Sequence, residues 1–153
     1  AIVKEYAHHL AGDPDYAEKA SRIAALTRDL SEVVAGEDIT SLAPADPPRV
    51  AVQTPCTLQH AQGLPRAVSG LLERAGFPLT EVAEPHLCCG SAGTYSILQP
   101  ELAEQLRDRK LGHPQADAPA VIATANIGCL HHLAAASEVP VRHWVELLDP
   151  ERG

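Results

Sequence analysis

The chain has 153 residues, a length at which one domain with one core is the default. Its 20 acidic against 12 basic side chains give a formal charge of -8, which repels phosphate backbones and anionic lipid surfaces and argues against nucleic-acid binding. One Trp, one Phe and no Met leave aliphatic residues and alanine to fill the core, with no aromatic platform for stacking bases, and no apolar run reaches the roughly 18 residues of a membrane span.

No charged-then-apolar signal segment opens the chain, so a soluble, cytosol-facing protein is expected. The opening AIVKEY and the absence of methionine lead to the expectation that this is a piece of something longer.

In chain order, Asp13-Pro14 reads as a helix start and Gly36 as a stop. One long helix is expected between them, with Ala20, Ile23, Leu30 and Val34 among its apolar positions. Residues 37–48 hold three prolines and no periodicity, the composition of a linker, and a new unit is expected over 49–153. There the pattern alternates: strand 49–54, helix 65–75, strand 78–83, helix 100–111, strand 120–125, helix 129–137 and strand 139–144. Short apolar strands alternating with helices predict an α/β fold, a small, mostly parallel sheet flanked by helices, preceded by the N-terminal helical segment 1–36.

Each cysteine follows a strand: Cys56 after 49–54, Cys88 and Cys89 after 78–83, Cys129 after 120–125. If the strands are parallel, all three loops emerge at the carboxyl edge of the sheet, where open α/β folds place ligands. A disulfide framework does not suit an unsecreted chain, and adjacent cysteines close only a strained ring with each other, so metal ligation is the better reading. Helices starting near the cysteines turn amides and a positive dipole end toward the site. Gly90 and Gly93, in the run Cys89-Gly90-Ser91-Ala92-Gly93, let backbone pass close to a bulky group and aim amides at its sulfur; a plain tight turn is the simpler account of the same run.

Side chains of adjacent residues diverge, so a vicinal pair seldom closes one tetrahedron around a single zinc, and a cluster of several irons suits it better. The simplest alternative for the four cysteines is small buried hydrophobes. His131 and His132 read as solvated or capping imidazoles unless His132 touches metal. His8, His9, His60, His86 and His113 are assigned to the surface or loops; Trp144 is expected in the core, with Arg142, His143 and Trp144 as a docking surface in the alternative.

Cys56, then 31 residues, then Cys88-Cys89-Gly90, then 38 residues and Cys129, resembles the CCG domain of heterodisulfide reductase-like electron-transfer subunits. That domain's pattern ends in Cys-x-x-Cys, and His132 stands here where its last cysteine falls. Together with Asn126-Ile127-Gly128-Cys129, Val141-Arg142-His143-Trp144, Val3-Lys4-Glu5-Tyr6 and Asp13-Pro14-Asp15-Tyr16, this narrows the resemblance to the glycolate oxidase iron-sulfur subunits. The resemblance implies an upstream part with two ferredoxin-type clusters and a first CCG repeat.

It also implies an electron-transfer role. Flavin-containing subunits oxidise glycolate to glyoxylate, and an iron-sulfur cluster here, four-iron and four-sulfur, relays electrons to a quinone-side acceptor. The protein would be cytoplasmic or peripheral at the inner face of the membrane, and the isolated chain would not itself be catalytic. The ligand set is Cys56, Cys88, Cys89 and Cys129, or a Cys/His set including His132, or a site that has lost its metal. Other readings are a CCG subunit of a lactate-utilisation or anaerobic glycerol-3-phosphate dehydrogenase complex, a structural zinc module with Cys3His ligation, and a thiol enzyme with Cys129 as nucleophile.

Overall fold

A computed structural model describes residues 1–112 and 118–149, so His113 lies outside the described residues. The backbone divides into two units, Ala1–Gly36 and Glu37–Gly153.

The first unit holds three helices, α1 (Ile2–His9), α2 (Ala17–Leu26) and α3 (Leu30–Val34). The single helix expected between Asp13 and Gly36 is therefore two, and α1 was not anticipated. Asp13 does accept the amides of Asp15 and Tyr16, but residues 13–16 turn and the helix begins at Ala17. At the other end Thr27 is extended, and the Arg28 guanidinium donates to the Ala25 and Thr27 carbonyls. Asp29 then starts a new helix with a capping box: its carboxylate accepts the Ser31 amide while the Glu32 carboxylate accepts the Asp29 amide at 2.7 Å. Lys4 donates to Glu32 at 2.8 Å and ties α1 to α3.

In the second unit, β1 (Val50–Gln53), β2 (Val121–Thr124) and β3 (Val141–His143) form one parallel sheet in the order β1-β2-β3. The α/β class with a small parallel sheet is as the sequence pattern requires. The run Val-Ile-Ala-Thr of β2 is buried throughout because it is the central strand and both faces are covered. The expected strand 78–83 is reduced to a single parallel bridge between Leu79 and Val50. Pro78 has no amide to give, so it offers only its carbonyl to Val50; Thr80 donates back to Val50, and the chain then leaves the sheet.

The helices of this unit are α4 (Cys56–Gln59), α5 (Ala67–Arg74), α6 (Tyr95–Leu98), α7 (Pro100–Gly112) and α8 (Ile127–Ala134), followed by a 3-10 turn over Trp144–Leu148. Residues 37–48 form turns without regular structure, yet Ile39 is buried and Arg74 of α5 donates to the Glu37 carbonyl at 2.7 Å. Trp144 is fully buried, which removes it from any docking surface. Ala51, Leu111, Ile122 and Leu133 form an apolar cluster that also includes Cys89 and Cys129. Each buried leucine or isoleucine of this set contributes about 1.5–3 kcal/mol. Part of the core thus lies directly beneath the cysteines. Among the described residues no helix is long and apolar enough to cross a membrane.

Candidate metal centre

Parallel strands bring the three cysteine-bearing loops to one edge of the sheet. Cys56 opens α4 three residues beyond the last residue of β1, and Cys129 sits in the first turn of α8, just past β2. Cys88 and Cys89 come from the long loop that leaves the sheet after Thr80. All four thiols line one cavity of about 360 Å³ together with Pro55, Ser91, Gly93, Asn126 and Gly128. A water occupies about 30 Å³ of liquid, so this space is large compared with one metal ion.

Within the cavity two of the thiols form a close pair. Cys89 Sγ lies 2.9 Å from Cys129 Sγ, both buried, while Cys88 is half-buried and Cys56 exposed nearer the surface. The divergence of adjacent side chains lets Cys88 and Cys89 face different partners across the same space. Among the described residues no group of three or more His, Cys, Asp or Glu side chains is set to hold a single metal ion.

Local backbone chemistry fixes the loops. Asn126 caps α8, its side-chain oxygen accepting the Gly128 amide at 2.9 Å and the Cys129 amide at 3.2 Å, which starts the helix at Ile127, two residues before the expected Cys129. Gly128 has to be small, because a Cβ there would meet Ser91 Oγ at 2.9 Å and Asn126 Oδ1 at 3.1 Å. The Gly90 amide donates to Cys88 Sγ at 3.4 Å. Below the cavity, Thr124 Oγ1 donates to Gln53 Oε1 at 2.6 Å; the two are register partners at the ends of β2 and β1, so this buried bond sets the spacing of the strands that carry Cys129 and Cys56.

Gly90 and His132 stand behind the wall. Gly90 has φ +91°, and a Cβ on it would lie 2.3 Å from the Ala103 carbonyl oxygen of α7, so its close neighbour is protein backbone. His132 Nε2 donates to that same carbonyl at 3.2 Å. Gly93, at φ +61°, does line the cavity. His131, His8, His9, His60 and His86 are exposed.

The electrostatics favour one ionised sulfur at neutral pH. Cys89 is drawn down to about 6, chiefly by the Cys129 thiol that donates to it, with help from the Ser91 amide and the nearby His132. Cys129 is pushed up, because its proton is held between the two sulfurs and it is desolvated. Burial also pushes Cys88 up. Neutral Cys129 and Cys88 would each have to shed a proton on binding metal.

The description "cysteine-rich domain", CCG, matches residues 50–134, which include every element that lines the cavity. The chain belongs to the CCG family. Among curated relatives of this CCG protein, the glycolate oxidase iron-sulfur subunit of Escherichia coli (strain K12) is 48% identical over 97% of the chain and 37% of its own length. Lactate utilization protein A of Geobacillus thermodenitrificans is 30% identical over 97% of the chain and 65% of its own length. A probable glycolate oxidase iron-sulfur subunit of Bacillus subtilis is 34% identical over 85% of the chain and 30% of its own length. The CCG chain therefore spans between about one third and two thirds of these proteins.

Proposed function

We propose that the chain is an iron-sulfur electron-transfer module of a glycolate-oxidising complex, with Cys56, Cys88, Cys89 and Cys129 holding a four-iron, four-sulfur cluster. The observation that carries this reading is the convergence of all four thiols on one cavity wider than a single ion requires. The donor set is chemically suited, since iron-sulfur clusters are held by cysteine thiolates. A bound cluster supplies a one-electron carrier. The chain's own residues do the rest: the Gly90 amide donates to Cys88 Sγ, a contact of the kind that tunes potential, and the buried Cys89 and Cys129 keep one side of the site out of water. Gly93 lines the cavity, and His132, bonded to the Ala103 carbonyl of α7, ties the helix that carries Cys129 to α7.

Carbon chemistry belongs to other subunits in this reading. The partners are flavin-containing subunits on the donor side and a quinone-side acceptor, with the chain in the cytoplasm or at the inner face of the membrane. A lactate-utilisation complex is the second reading, favoured by a relative of that name that matches over 97% of the chain. The 48% identity to a glycolate oxidase subunit against 30% puts glycolate first.

The test is anaerobic reconstitution with ferrous iron and sulfide, followed by iron, sulfide and zinc analysis and electron paramagnetic resonance. About four irons and four sulfides per chain, lost on replacing any of the four cysteines by serine, is the expected result. Zinc without sulfide, or no metal at all, overturns it. The chain alone should not turn over glycolate.

A further inference from the structure

Lys110 is the anomaly of the second unit: a lysine on a largely polar helix whose side chain is 0% exposed. Its Nζ donates to the carbonyls of Glu84 and Pro85, each at 3.2 Å, on the loop that runs into Cys88. The next residue, Leu111, packs in the apolar cluster with Cys89 and Cys129. Two carbonyls satisfy donors without neutralising a charge, and a buried ammonium is costly unless negative charge lies near it. The Glu84 carboxylate is turned to Arg109. The ionisable groups whose negative charge would favour the protonated Lys110 are the thiols of Cys89, Cys129 and Cys88, once deprotonated, and then the Glu84 carboxylate.

We propose that Lys110 is the fixed counter-charge of the cysteine cavity, a buried ammonium anchored on the loop before Cys88 that favours the more negative, reduced state of an iron-sulfur group held there. This rests on the cluster reading above. Alongside the burial and the two carbonyl bonds, burial pulls Lys110 down from its ordinary value while thiolate charge at Cys89, Cys129 and Cys88, and the Glu84 carboxylate, push it back up, so negative charge in the cavity and positive charge on Lys110 stabilise each other. At an effective dielectric of about 20, a buried unit charge acting on the cavity should bias the reduced state on the order of tenfold per electron. Tenfold is about 59 mV for a one-electron couple.

The experiment compares the full chain with Lys110→Met, Lys110→Gln and Lys110→Arg, each reconstituted with ferrous iron and sulfide, analysed for iron, and titrated with redox mediators under paramagnetic resonance. The neutral variants should load iron yet show on the order of a tenfold lower reduced-to-oxidised ratio at a given potential, with Lys110→Arg closer to the parent. Neutral variants that load iron with an unchanged midpoint overturn the proposal. So does folding only when the charge is kept, which would make Lys110 a brace for the loop. Failure of the parent chain to take up iron is a separate outcome: it removes the cluster reading first, and the role of Lys110 with it.

Discussion

Replacing Gly90 by alanine tests whether the cysteine loop is held against α7 by backbone contact. The added Cβ would start 2.3 Å from the Ala103 carbonyl oxygen and 3.1 Å from both the Ala103 carbonyl carbon and His132 Nε2. Ordinary contact begins at 3.4 Å, so the loop or the helix has to yield by 3.4 - 2.3 = 1.1 Å. No rotamer change relieves a clash between a Cβ and a carbonyl. Overpacking of this kind costs about 1–3 kcal/mol, and a non-glycine residue at positive φ costs about 1–2 kcal/mol more. The sum, about 2–5 kcal/mol, is a large part of a typical stability of 5–15 kcal/mol. Gly93→Ala is the internal control: its φ is also positive, but its Cβ would meet nothing within 4 Å, so only the conformational cost of about 1–2 kcal/mol should appear. Urea unfolding of the metal-free chain measures both, and iron uptake reports whether a shift of about 1 Å separates Cys89 from Cys129. Equal losses from the two substitutions would show that the close approach to α7 carries no energy and refute the reasoning.

Thr124→Val leaves the buried Gln53 oxygen without its donor and should cost about 1–3 kcal/mol in urea unfolding; a neutral result means the strand ends do not depend on this bond. Asn126→Ala removes the cap of α8 and should cost about 1 kcal/mol, with Asn126→Asp retaining most of the stability. For pH, the Lys4 ammonium and then the Asp29 amide hold the Glu32 carboxyl below its ordinary 4.5, so the ionised form stabilises the folded state. That contribution is present above the unfolded carboxyl value and is lost as pH falls through the lower folded one. Glu32→Gln should therefore lower the thermal midpoint at neutral pH and converge with the parent in acid; a constant gap across pH would assign the effect to the cap geometry alone.

What could be seen along the chain was whatever is written in short-range pattern. The alternation of apolar strands with helices fixed the α/β class, and the position of each cysteine after a strand predicted convergence at one sheet edge. Where the pattern misled, a local signal had been overridden or overlooked. The capping box from Asp29 to Glu32 cuts the helical periodicity that runs across it. Pro78 strips the run 78–83 of ladder donors until only the bridge at Leu79 survives. Asn126 ahead of an apolar helix is a capping signal that places the start of α8 two residues before Cys129.

Sequence by itself determined where the thiols fall along the chain, each a few residues past a run of strand character, and that order is all parallel pairing needs to bring their loops to one edge. Tertiary structure alone decided which cysteine faces which, that Gly90 and His132 press on α7 from outside the cavity, and that a lysine from α7 ends buried beside the loop that carries Cys88. Those relations join residues dozens of positions apart through the packing of helices on the sheet. Their distances and burial come from side-chain volume in three dimensions, which leaves no periodic trace in the one-dimensional order of residues.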